Sequence, residues 1–270
     1  MNIEVVKDRK SIRTYEGDPL DQEAKSKIEA FIENIDNPFG VPVDFRLLDA
    51  RSHNLSSKVI VGAGAYVAAK VKRCPRAEEA FGYSFEKFVL YATSLGLGTV
   101  WLAGTLDRKA FERALEVGED EMMPAASPIG IPASKMSMRE ALMRKSLKAD
   151  ERRAFDELFF KADLDHPLAS EAAGVWRVPL EMVRLAPSAT NKQPWRAVVA
   201  GDTVHFYECK SLRHSLEATG DIQKVDVGIA LCHFEIATAE QGISGSFFEN
   251  DPHLGVPDGF EYIVSYRQDG

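Results

Sequence analysis

The chain is 270 residues long, with 45% hydrophobic and 27% charged residues, enough for a sizeable core in one large domain or two modest ones. Its formal charge of -8 and pI near 5.4 argue against a general affinity for nucleic acid or for an anionic membrane, both of which attract positive surfaces. An anionic ligand therefore has to be held by a local cluster of Lys and Arg.

Taken in chain order, residues 1–13 carry Glu4, Lys7, Asp8, Arg9, Lys10 and Arg13 with no apolar run of signal-peptide length behind them, which predicts a cytoplasmic protein. Residues 21–34 place Ala24, Ile28, Phe31 and Ile32 on one side of a helix that starts near Asp21. Strands are predicted over 43–48 and 65–71. A helix over 84–95, with Phe85, Phe88, Val89 and Ala92 at helical spacing, ends in Gly96-Leu97-Gly98. A buried strand over 99–102, a helix over 107–117 capped by Asp107, and a strand over 125–131 complete the first series.

Residues 136–161 are dense in charge with little strand character and read as a helical connector. The second series has a short helix over 179–186 and a hairpin of 195–200 with 203–208 around Gly201-Asp202. A long helix over 224–240 and strands over 246–248 and 261–266 follow. The longest apolar stretch, 225–239, is interrupted by Asp226, His233 and Glu235 and falls short of the roughly 20 apolar residues that a spanning helix needs, so it predicts a buried helix. Cys74, Cys209 and Cys232 are odd in number and widely spaced, which fits free thiols better than a disulfide framework or a metal site.

The two series are faintly self-similar at an offset of about 150 residues. Pro42 to Leu47 stands where Pro194 to Val199 stands, each run followed by a turn. The helix that ends at Gly96 and enters a strand at Trp101 parallels the one that ends at Gly242 and enters a strand at Phe247.

Three segments carry candidate chemistry, and each has a plainer alternative. Arg9-Lys10-Ser11-Ile12-Arg13 packs three cations and a hydroxyl into five residues. Arg grips phosphate oxygens bidentately, and Lys adds a point charge; the alternative is solvated surface. The loop Ala186-Pro187-Ser188-Ala189-Thr190-Asn191-Lys192-Gln193-Pro194-Trp195 is rich in hydrogen-bonding groups that either the loop or a ligand must satisfy; the alternative is an ordered surface loop. Leu95-Gly96-Leu97-Gly98-Thr99-Val100-Trp101-Leu102-Ala103-Gly104 ends in small residues that would let backbone approach a flat ring; the alternative is a tight helix-to-strand join.

Together these segments resemble the nitroreductase family of FMN enzymes, with the Pro-Ser loop the strongest match. The resemblance implies an α+β fold, a three-layer α/β/α sandwich with two pseudo-symmetric halves, residues 1–150 and 151–270, packed as one unit. It implies that Arg9, Ser11 and Arg13, with Lys10 adjacent, bind the FMN phosphate and ribityl chain. It places the backbone of Ala103 and Gly104, after Leu102, near the flavin N5. It sets Pro187, Ser188, Ala189 and Asn191 along the ring and ribityl, and Lys135 as a further phosphate-side cation. The basic knot and the Gly segment occur only in the first half and the Pro-Ser loop only in the second. Residues 36–42 stand where the loop is expected, and Gln241-Gly242-Ile243-Ser244 replaces Gly-Leu-Gly-Thr. A fused pseudo-dimer that kept a single composite site has this pattern, which predicts one FMN per chain.

The implied activity is a ping-pong oxidoreductase passing electrons from NADH or NADPH to a nitroaromatic, quinone or similar small molecule, with the flavin and no side chain carrying the catalysis. The alternatives are a flavin-binding sensor or carrier without turnover, and a member that binds no flavin. A monomeric pseudo-dimer is expected, with neither nucleic acid nor membrane as a partner and further association open. Val61-Gly62-Ala63-Gly64-Ala65 lacks the third glycine and the following helix of a dinucleotide fingerprint. His53, His205, His214 and His233 stand without a nucleophile pattern.

Overall fold

A computed structural model describes residues 1–149, 151–211 and 218–270; His214 lies outside them. The first half contains α1 (Ile3–Asp8), α2 (Gln22–Ile32), β1 (Val43–Asp49), β2 (Ala65–Lys72), α3 (Ala77–Ser94), β3 (Gly98–Thr99), α4 (Arg108–Leu115), β4 (Glu121–Met122), β5 (Ala126–Gly130) and α5 (Met138–Ser146). The second contains α6 (Phe155–Leu158), β6 (Phe159–Lys161), α7 (Arg177–Leu185), β7 (Trp195–Ala200), β8 (Thr203–Cys209), α8 (Ile222–Glu240), β9 (Gly245–Phe248) and β10 (Phe260–Gln268).

Each half builds its own sheet, and the two orders correspond. The first runs β1-β2-β5-β3, and the second runs β7-β8-β10-β9 with β6 added outside β7. In both, a two-strand antiparallel ribbon leads into the long helix, α3 or α8. The strand after that helix takes the far edge, and a later strand closes the gap. The duplication read from the sequence is thus a duplication of topology.

The long helices pack on each other between the sheets, and two glycines set their approach. A Cβ on Gly82 would lie 2.0 Å from the Val225 carbonyl oxygen, and one on Gly228 would lie 2.1 Å from the Glu79 carbonyl oxygen. Each glycine meets the residue three positions before the other, as a two-fold helix crossing requires. Side chains reinforce the junction: the Tyr83 hydroxyl donates to Glu235, and the Asp221 N–H donates to Glu78 Oε1 at 3.2 Å.

Helix α1 and strand β4 were not expected, and three expected elements take a different form. Helix α3 begins at Ala77 rather than at 84, because nearly every side of it is buried and no amphipathic stripe marks its first turns. Residues 159–161 of the expected connector form β6, which pairs in parallel with β7; three residues are too short a run to show a period. Of the strand expected over 99–102, only Gly98–Thr99 is continuous, and Leu102 re-enters the sheet through a bridge to Ala126. Cys74, Cys209 and Cys232 are free thiols. Among the described residues no helix is long and apolar enough to cross a membrane.

Candidate functional site

A cavity of about 370 Å³ opens between the halves. The first half contributes Ser11 and Arg13, residues 100–105, and Met143 and Leu147 of α5. The second contributes Pro187, Ser188, Ala189 and Thr190, with Ile222, Val225, Asp226 and Ile229 of α8.

Local geometry explains why the basic segment faces this space. Ser11 bridges to Thr99 in parallel fashion, and the Ile12 N–H donates to the Thr99 carbonyl at 2.9 Å. Ile12 packs over Gly98, where a Cβ would fall 2.8 Å from its Cγ2. With Ile12 turned into the protein, its extended-chain neighbours Ser11 and Arg13 point to the other side. Buried Glu140 on α5 accepts from the Arg13 N–H at 3.1 Å and the Thr14 hydroxyl at 2.8 Å, so α5 is tied to the same segment.

Segment 100–105 is held from behind. Leu102 and Ala126 exchange backbone hydrogen bonds of 2.9 and 3.0 Å, and Arg108 donates to the carbonyls of Met123 at 2.5 Å and Ala103 at 3.0 Å. The Trp101 indole donates to Glu86 Oε2 at 2.8 Å, and the other oxygen of that buried carboxylate meets His233 Nε2 at 2.9 Å. At Gly104 a Cβ would meet no protein atom within 4 Å, so the space above it belongs to the cavity.

The Pro-Ser loop is stiff. Thr190, Asn191 and Gln193 have φ of 49°, 56° and 52°, a region costly for non-glycine residues unless their surroundings enforce it. Three hydrogen bonds enforce it: Ser188 Oγ accepts from the Gln193 N–H at 2.9 Å, Gln193 Oε1 accepts from the Arg153 N–H at 2.9 Å, and Asp226 accepts from the Ala189 N–H.

Of the residues singled out in the sequence, Ser11, Arg13, Leu102, Ala103, Gly104, Pro187, Ser188 and Ala189 line this one cavity. The other four stand outside its lining. The Asn191 amide is spent on the carbonyls of Lys148 and Glu151, at 2.8 and 3.0 Å. Arg9 is turned inward, its Nε 3.8 Å from Glu86, and Lys10 and Lys135 are exposed. Trp101, Thr190 and Asp226 were missed as lining residues; Asp226 had a signal, as an acid interrupting an apolar helix. Gly62, in the rejected dinucleotide segment, has φ of 80° and passes so near Tyr15 that a Cβ would sit 2.4 Å from its carbonyl oxygen.

Arg13 is 8% exposed, and among the described residues its Nε and Nη1 have no hydrogen-bond partner. Burial lowers its pKa from the ordinary arginine value, and Glu140 partly offsets that.

The family model described as "Putative TM nitroreductase" matches residues 2–238. The chain belongs to this nitroreductase family. In fold it is similar to the crystal structure of a "putative nitroreductase" from Thermotoga maritima MSB8, with a TM-score of 0.63 and 21% identity over 99% of this chain and 93% of that one. A nitroreductase family protein from Clostridium novyi NT matches 50% of this chain and 87% of its own, at 21% identity and a TM-score of 0.42. An FMN-dependent nitroreductase from Clostridium difficile R20291 matches 49% and 88%, at 16% identity and 0.40. No curated protein sequence matches the chain.

Within this chain the helix crossing identifies the counterpart of the open cavity. If Gly82 corresponds to Gly228, then Ile222, Val225 and Asp226 of α8 correspond to Arg76, which caps α3, and to Glu79 and Ala80 within it. There Arg76 forms a two-pronged ion pair with Glu249, both contacts 3.2 Å, and reaches Glu79 at 3.1 Å. Side chains fill the space that the other end of the molecule leaves open.

Proposed function

We propose that this chain is an FMN-dependent oxidoreductase that holds one flavin in the cavity between its halves, residues 1–150 and 151–270, which act as one unit. Electrons pass from NADH or NADPH to a nitroaromatic, quinone or similar small acceptor in two successive half-reactions. The observation that carries the reading is Arg13, a buried guanidinium with two unpartnered nitrogens in the wall of a largely apolar cavity. A buried cation without a partner is costly, and a phosphate or carboxylate on the ligand would relieve that cost through charge-assisted hydrogen bonds. The volume falls within the roughly 300–1,000 Å³ usual for a cofactor or small-molecule site.

FMN, when bound, would supply the hydride and electron transfer that no side chain here can perform. The protein supplies placement. Arg13 and Ser11 would hold the phosphate side. The backbone of Ala103 and Gly104, braced by Arg108, would meet the ring edge. The stiff Pro187 to Thr190 turn would close over the ring from the other half. Because these groups are fixed before the ligand arrives, little ordering cost opposes binding.

The purified protein is expected to be yellow and to lose its visible absorption under anaerobic NADH or NADPH. A flavin spectrum that neither reductant bleaches would leave a flavin-binding protein without turnover, and a protein that fails to take up FMN would end this reading. Arg13→Ala removes a charged hydrogen-bond donor worth about 1.5–3 kcal/mol and should weaken FMN binding about 10- to 100-fold.

A further inference from the structure

Asp226 is a second buried charge-bearing group in this cavity, and the site as described gives it no chemical role. It sits in the first turns of α8, is 3% exposed and lines the cavity. Both its oxygens face a single donor, the Ala189 N–H, at 3.0 and 3.1 Å. A carboxylate offers about four lone-pair sites. One shared N–H leaves most of its charge uncompensated, and among the described residues it has no ion-pair partner.

Its surroundings add mostly negative charge. Asp221 caps α8 just ahead of it, and Glu208 on β8 is buried with neither oxygen hydrogen-bonded among the described residues. Lys224 of α8 is engaged by Glu261 of β10 at 2.5 Å, and Lys210 shares that carboxylate at 2.6 Å while standing 3.8 Å from Glu208. Across the cavity, Arg13 belongs to the other half. Burial pushes the Asp226 carboxyl well above the usual range; the Ala189 N–H offsets part of that, and Asp221 and Glu208 add to it. The filled counterpart of the site has Ala80 at this position, so the carboxyl exists only where the cavity stayed open.

We propose that Asp226 enters the cavity as a neutral carboxylic acid that accepts the Ala189 N–H with one oxygen and donates its O–H to an acceptor atom of the bound ring. Naming the ring rests on the FMN reading; the proton itself does not. A neutral acid avoids the cost of an isolated buried charge. It also presents a donor to a planar ligand edge rich in acceptors, where a carboxylate would repel it.

Two measurements test this. In infrared spectra of the ligand-free protein, a protonated-carboxyl C=O band is expected at neutral pH, to be absent in Asp226→Asn and to persist in Glu208→Gln. The Glu208 control is needed because burial pushes that carboxyl up to about 7. If wild type and Asp226→Asn share the same bands at neutral pH, the proposal is overturned whether or not FMN binds.

The second measurement is FMN affinity against pH, by quenching of flavin fluorescence. Wild type should lose about tenfold in affinity per pH unit once Asp226 ionises in the free protein. Asp226→Asn, which keeps a donor and an acceptor in the same shape, should bind without that dependence. An Asp226→Asn variant that binds FMN much more tightly than wild type at neutral pH, as removal of a carboxylate from the ring edge would produce, would reject the proposal while leaving the FMN reading intact. A wild type that binds no FMN would reject the FMN reading while the infrared result still decides the proton. Cooperative thermal unfolding of each variant checks that it is folded.

Discussion

The amino-terminal ends of α3 and α8 are built on one plan and finished in opposite ways. At α8, the side chains facing the other half are Ile222, Val225 and Asp226, and a cavity remains between them and Arg13. At α3, the corresponding positions hold Arg76, Glu79 and Ala80, and the space is closed by the Arg76–Glu249–Glu79 cluster. A duplicated scaffold does not oblige both copies to keep a site. Once a single chain supplies both halves, one end is free to exchange ligand-binding groups for an internal ion cluster that joins the halves directly.

The sharpest way to break this contrast is Arg76→Ala. It strands Glu79, which is 1% exposed and already has one oxygen without a partner. Removing one partner of a buried pair costs about 3–5 kcal/mol, and urea unfolding at neutral pH should show a loss of that size with FMN binding at the far cavity retained. A loss under about 1 kcal/mol would mean that the cluster is not what closes this end.

The next effect is smaller and should be symmetric. Gly82→Ala and Gly228→Ala each drive a methyl into a carbonyl on the opposite helix and should cost about 1–3 kcal/mol, the usual range for overpacking. The two losses should be similar, because the contacts are related by the crossing. Gly104→Ala is the control, with no protein atom near its added carbon, and should change stability by less than about 0.5 kcal/mol. Unequal costs for the paired glycines would weaken the assignment of Ala80 as the counterpart of Asp226.

The repeat was legible in the sequence because it lies in punctuation: Gly96 and Gly242 end the long helices, and the Val43 and Trp195 strands precede long ribbons. Contiguous motifs could be read directly, and the structure brings Ser11, Arg13 and Pro187 to Ala189 to one cavity. A side chain's partner far along the chain could not be read. Asn191 belongs to the same polar motif, and its amide donates to the carbonyls of residues 148 and 151, a pairing no local pattern marks. Arg9 looked like Arg13 because they are neighbours, yet α1 ends beside Glu86 on α3 and the guanidinium follows that charge inward. Asp226 was visible only as a break in an apolar run, and its meaning depends on a loop 37 residues away. Periodicity reports burial and not which cavity a buried group lines.

A single composite site in a pseudo-symmetric chain is tested most directly by the number of flavins it binds. Titration of the purified chain with FMN, with flavin and polypeptide quantified independently, should saturate at one FMN per chain. Two per chain would show that the Arg76 end also binds, and one per two chains would place the site between molecules instead of between halves.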